Sequence, residues 1–247
     1  MIMEISSRQL VTVIGLGIAI VIELLCALLV FRRDPHFRGN QFTSAAYLSL
    51  SLALSFNTIY VFLIETSLIG ILHRLADLFA IIGTIFIFLS AMFISEGSSS
   101  FKSHRMILPL IGIIAGLSLF LLPNNTSLII YAGENQLPNT EQFIEWDLAF
   151  FGAAAIPIYL IVIGAFYYYY KVYRDIPKEI PMKSALLFIL IGTIVLGVSH
   201  FLLVVPHILL DVFPVTSLVL IGNIGSIGVL FGSVIIFLGF RTRISEK

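Results

Sequence analysis

The chain has 247 residues, of which 59% are hydrophobic and only 11% charged. A soluble domain carries about 25% charged residues, so this composition, with a mean hydropathy of +1.06, excludes an ordinary soluble enzyme and points to a polytopic membrane protein. The net charge of +0 offers no field to attract nucleic acid, and the single cysteine, Cys26, rules out an intramolecular disulfide.

A helix needs roughly 20 mostly apolar residues to cross the hydrocarbon, and seven stretches qualify or come close. The N-terminal "MIMEISSRQ" lacks a positive n-region, so the first stretch, Leu10 to Phe31, is expected to be a retained span rather than a signal peptide. It carries Glu23 past its midpoint. A basic segment, "RRDPHFRGN", leads into the second span, Phe42 to Ile64, which contains Asn57 and is followed by Glu65. The third, Leu68 to Ile94, opens on "HRLADLFA". The fourth, Met106 to Leu122, is short and holds Gly112 and Gly116.

A long acidic loop follows, "NNTSLIIYAGENQLPNTEQFIEWD". Loops of that length are usually functional or disordered, and "LIIYAG" is expected to form a short strand or interfacial segment over the bundle. Trp146 and Asp147 introduce the fifth span, Leu148 to Tyr170, which closes on "FYYYYKVYR", aromatics then cations, the usual interfacial anchor. The sixth, Ser184 to Val205, carries His200 near its exit and is followed by Pro206, His207 and Asp211. The seventh, Val215 to Phe240, contains Asn223 and the run "GNIGSIGVLFGS". The expected fold is therefore all-α, a seven-transmembrane-helix bundle forming one membrane domain over 1–247.

Orientation follows from the cations, which accumulate on the cytoplasmic side. With the N-terminus outside, only Arg8 and Arg74 of the 14 Lys and Arg fall on the outer side. The chain is thus expected N-out and C-in, in the plasma membrane. Seven residues follow the last span, so output is expected through a partner rather than a soluble domain of this chain.

His73 and Asp77 are i, i+4 and Arg74 and Asp77 are i, i+3, so all three can share one helix face. Ionised groups in a membrane cost several kcal/mol unless they pair or face the bundle interior, and Arg74 with Asp77 is the expected pair, beside His73. Glu65, Trp146, Asp147, His200, His207 and Asp211 fall at the same outer depth. Together these nine residues predict an outer-leaflet polar pocket for a small-molecule or ion ligand. Glu23 is expected to form an interhelical clasp with Asn223 or with Ser49, Ser51 and Ser55, with Asn57 also polar inside the second span. Gly222, Gly225, Gly228 and Gly232, spaced three or four apart, read as a groove for close helix approach, as do Gly112 and Gly116.

No enzyme is expected. His200 and His207 lie about 10.5 Å apart along a helix, too far for two zinc ligands, and HExxH is absent. Neither GxSxG nor a Walker loop occurs, and no metal or cofactor is implied.

Two resemblances bear on function. "RLADLF" is similar to the Arg-x-x-Asp step in the third span of microbial rhodopsins, which share the seven spans and N-out topology. That family implies a retinal-binding lysine in the last span, and "VTSLVLIGNIGSIGVLFGSVIIFLGF" has none. The N-out topology, the basic "RRDPHFRGN", the last span opening "DVFPVTSLVLIGNIGSIG" and its basic close resemble the seven-helix input regions of prokaryotic histidine kinases. In that family the seventh helix leads into a signalling domain, from which this chain departs. The resemblance implies a sensor or receptor-like module, signalling through a cytoplasmic or membrane partner. A small-solute or ion transporter using the same pocket, and an accessory subunit of a membrane complex, remain open. The lipid bilayer is the expected surrounding, and no nucleic acid is expected as a partner.

Overall fold

The computed structural model describes residues 7–60, 62, 66–97, 106–122, 125–132, 138–145, 148–178, 180, 182–209 and 214–242. They form α1 (Ser7–Arg33), α2 (Arg38–Tyr60), α3 (Thr66–Glu96), α4 (Ile107–Ser118), β1 (Asn125–Ala132), β2 (Pro138–Glu145), α5 (Leu148–Asp175), α6 (Met182–Ile208) and α7 (Val215–Thr242). Each expected span has its helix. The fold is nonetheless not purely all-α, because β1 and β2 pair antiparallel, with Asn125 opposite Glu145 and Ala132 opposite Pro138. The β-branched and aromatic run "TSLIIY" favours a strand over a helix.

Among the described residues five helices are long and apolar enough to cross a membrane, namely α1, α3, α5, α6 and α7, so the protein is a helical membrane protein. The other two differ for separate reasons. At 23 residues α2 is long enough but rich in Ser, Thr, Asn and Gln. Its hydroxyls are satisfied on its own backbone, Ser49 donating to Ala45 O (2.8 Å), Ser55 to Ser51 O (2.7 Å) and Thr58 to Leu54 O (2.8 Å). The expected span Met106 to Leu122 shortens to a 12-residue helix, about 18 Å against the roughly 30 Å of hydrocarbon. Ser118 Oγ donates back to Ala115 O (2.7 Å), and the chain loosens into mixed turns through Leu122. α2 also begins earlier than expected. Asp34 Oδ1 accepts from the backbone N–H of His36 (3.0 Å) and Phe37 (3.2 Å), an Asx turn that starts the helix at Arg38.

The helices close a ring in the order α1, α2, α3, α5, α6, α7 and back to α1, with α4 lying against α3 and α5. Hydrogen bonds fix the directions. Arg33, ending α1, donates to Phe240 O near the end of α7, so these two run parallel. Thr43, early in α2, meets Ser90, late in α3 (2.5 Å), and those two run antiparallel. Lys171 and Glu96 (3.2 Å) join the parallel ends of α5 and α3. One end of the bundle, the basic end, thus gathers Arg32, Arg33, Lys171, Arg174, Lys178, Lys183 and Arg241. At the other, the hairpin end, β1 contacts α3 and β2 contacts α6.

α3 is the most buried span. Its Ile81, Phe88 and Met92 pack with Phe150, Ile158 and Ile161 of α5 in the main core. The tightest approach is between α6 and α7. A Cβ on Gly192 would stand 2.9 Å from Gly232 O, and one on Gly225 would stand 2.9 Å from Ser199 O. Gly228 lies against Ser199 and Gly232 against Leu196, whereas Gly222 faces only Pro206 at an ordinary 3.9 Å. Gly112 abuts Ile161 and Ile85, and Gly116 abuts Leu78.

Candidate functional site

Inside the ring lies a cavity of about 100 Å³, bordered by every helix except α4. Its polar lining falls at successive depths. Asn57, Asp77, Tyr159 and His200 stand toward the hairpin end, and Thr84, Thr193 and Glu23 deeper, toward the basic end. The walls between them are apolar, among them Ala53, Ala76, Leu196 and Val229.

Asp77 is placed by the helical period of α3, which turns both it and His73 inward, leaving them 8% and 3% exposed. His73 Nδ1 lies 2.9 Å from Asp77 Oδ2, a close contact without the alignment of a hydrogen bond. The His73 ring tilts over Phe150 of α5 at 6.3 Å between centroids. From the facing side His200 of α6 packs edge-on against the Tyr159 ring, its Nδ1 3.5 Å from the phenol oxygen.

The expected Arg74–Asp77 partnership is replaced by His73–Asp77. Arg74 turns instead to α4, where Nη2 donates to Leu122 O at 2.9 Å. The carbonyls beyond a helix C-terminus lack intrahelical partners and carry the negative end of the dipole, so a cation satisfies them. Arg74 therefore ties α3 to α4 while Asp77 faces the cavity.

Glu23 is likewise clasped by a different partner. It is 2% exposed, and Ser233 Oγ of α7 donates to its Oε1 at 3.2 Å. Asn223 is too shallow, because α1 and α7 run parallel and Glu23 sits about 24 Å along α1, close to the roughly 27 Å of Ser233 along α7 and far from the roughly 12 Å of Asn223. The serines of α2 spend their hydroxyls on their own helix; Ser51, too, donates to Leu48 O (2.8 Å). Glu23 Oε2 has no hydrogen-bond partner among the described residues, and Glu23 lines the cavity.

The expected outer-leaflet pocket is therefore reduced and moved inward. Asp77, His200 and Asn57 line the cavity and His73 supports it from behind, while Arg74 and Asn223 are not in its lining. Glu65, Trp146, Asp147 and Asp211 lie outside the described residues, and of His207 only the backbone, near the end of α6, is described.

Several residues with no sequence signal join the site. Tyr47, Tyr159, Thr84 and Thr193 border the cavity, unremarkable among many similar residues in apolar runs. Toward the basic end Thr43 and Ser90 form a polar layer on Gly39 O (2.8 and 3.1 Å), which Tyr169 of α5 joins. Below that layer a second recess of about 100 Å³ is lined by Arg33, Asn40, Thr43 and Tyr169 among others. Among the described residues no group of His, Cys, Asp or Glu could hold a metal ion.

The cavity is smaller than the roughly 150 Å³ that holds a benzene ring and has room for about three waters. It can therefore take only a small occupant, held by carboxylates, an imidazole, hydroxyls and an amide. No protein-family model matches the chain, and no curated protein matches it either.

Proposed function

We propose that the chain is an integral membrane sensor, a receptor-like module whose input is a small ligand in the central cavity and whose output passes to a partner at the basic end. The observation that carries this reading is the cavity itself, in which Glu23, Asp77 and His200 from three helices face one small space. Intramembrane ionisable residues that face an interior space mark functional sites by default. Four of the helices lining the cavity, α1, α5, α6 and α7, reach the basic end with Arg33, Arg174, Lys183 and Arg241, so a change of packing around the ligand alters the surface a partner meets. By the positive-inside rule the basic end is cytoplasmic. The N-terminus and the hairpin then lie outside, and the plasma membrane is the natural location. The resemblance to the seven-helix input regions of histidine kinases belongs to this reading.

A second reading, a carrier of small solutes or ions, is favoured by the polar groups at successive depths and by the recess beneath them. One experiment separates the two. Fluorophores at positions 32 and 178 of the reconstituted protein report the distance across the basic end while compounds of about six heavy atoms or fewer are added. For a sensor, at least one compound changes the distance, and Ala76→Leu, which fills the cavity, abolishes the change at normal yield. A ligand gradient that drives sustained flux across sealed vesicles would favour the carrier. Neither response would leave an accessory subunit.

A further inference from the structure

The lipid-facing side of the bundle carries a seam that the sensor reading does not use. α5 and α6 touch far less extensively than α6 and α7, and between them runs an apolar groove of about 350 Å³, lined by Tyr159, Ile163 and Phe166 of α5 and Ile194, Val198 and Phe201 of α6. At the basic end of the same pair lies an open recess of about 530 Å³, where Arg174, Lys178 and Lys183 surround Tyr170, Tyr173 and Leu187. The two are successive parts of one face. Along α5 the residues 159, 163, 166, 170, 173 and 174 follow steps of three and four, with one single step at the end, so they share a helix face.

We infer that this seam is a binding site for an anionic phospholipid, with the phosphate among Arg174, Lys178 and Lys183 and an acyl chain along the α5–α6 groove. Lys183 is held in place, donating to Ile176 O at 2.7 Å and standing 4.8 Å over the Tyr173 ring. Among the described residues Arg174 commits only its Nε–H, to Asp175 at 3.2 Å, and a guanidinium has four further donors. Glu179, another carboxylate of this loop, lies outside the described residues. Basic pockets between spanning helices at the cytoplasmic face suit anionic headgroups.

The rim makes the occupant a lipid rather than a soluble phosphate. Tyr170 and Leu187 are 48% and 41% exposed and lie one turn deeper than Arg174 and Lys183, about 6 Å toward the hydrocarbon. From Arg174 to Tyr159 the face extends about 22 Å, which matches one leaflet from headgroup level to midplane in a bilayer about 40–45 Å thick. The groove also shares Tyr159, Val162, Thr193 and Gly197 with the central cavity, so the acyl chain would complete the cavity's side wall. The site stands independently of the sensor reading.

The test reconstitutes the full chain in nanodiscs of phosphatidylcholine with a minor share of phosphatidylglycerol and counts retained lipids by native mass spectrometry. The wild type should retain phosphatidylglycerol in preference. The double variant R174Q/K178Q should lower that preference roughly thirtyfold, whereas R32Q/R241Q, which removes two cations elsewhere on the basic end, should leave it unchanged. Gly197→Phe, placed where a Cβ meets only Val162 at 3.9 Å, should lower retention at unchanged thermal stability by obstructing the groove. Equal retention of the two lipids, or equal losses in both double variants, would overturn the proposal. So would full competition by glycerol 3-phosphate, which would assign the recess to a soluble phosphate, or normal retention in Gly197→Phe.

Discussion

At the scale of single residues, the buried charges are decided by which neighbour each can reach. His73 and Asp77 face the same interior space and Arg74 faces the end of α4, so coupling energies should rank accordingly. In a double-mutant cycle measured by unfolding in mixed micelles, His73→Gln with Asp77→Asn should be non-additive by about 0.5–3 kcal/mol, and Arg74→Gln with Asp77→Asn by less. The reverse order would restore Arg74 as the partner of Asp77. Glu23 gives a second ranking. Ser233→Ala removes its one hydroxyl donor and should cost about 1–3 kcal/mol, while Asn223→Ala should leave Glu23 undisturbed. Equal costs would show that the α1–α7 clasp does not depend on Ser233. The sequence showed that Glu23, Asp77 and His200 are out of place in apolar runs, which is why they were legible. It did not show their partners, because i, i+3 and i, i+4 are equally close along a helix, and the choice is made by α4 and α7.

Among the elements, the existence of the five long apolar helices was legible, since an apolar run of that length has one low-energy backbone in lipid. What the run does not encode is how it ends. α4 stops at Ser118 because a serine hydroxyl competes for a backbone carbonyl, and α2 starts at Arg38 because Asp34 caps the turn before it. The hairpin was half legible, since "LIIYAG" reads as a strand but its partner "PNTEQFIE" shows little alternation. The glycines were legible on α7 and not on α6, where Gly192 and Gly197 of "FILIGTIVLG" lie five apart, outside the three-or-four spacing that marks a packing groove. A Cβ on Gly192 would meet the backbone of α7 at 2.9–3.1 Å, which cannot yield as a side-chain tip can. Gly192→Leu should therefore separate the two helices and cost about 1–3 kcal/mol or more, with loss of folded yield. Gly222→Leu, beside only Pro206, should be tolerated. A size-exclusion profile after purification checks both, and a normal profile for Gly192→Leu would contradict the close α6–α7 approach.

For the whole molecule, the ring of six helices converts scattered polar residues into one cavity. Glu23, Asn57, Asp77 and His200 lie on four different helices, and no spacing in the chain connects them. Their convergence follows from the order in which the helices pack, which the sequence does not specify. The proposed direction of signalling depends on sidedness, which rests on the concentration of cations at one end. Cys26 is buried, so in a Cys26→Ala background a single new cysteine reports its own exposure. One at Gly133, between β1 and β2, should react with an impermeant maleimide in intact cells, and one at Asp34, between α1 and α2, should react only after the membrane is opened. The opposite pattern would place the basic recess between α5 and α6 in the outer leaflet and expose the hairpin to the cytoplasm. The cavity would be unchanged, but its ligand would then arrive from inside the cell and the partner would have to bind outside.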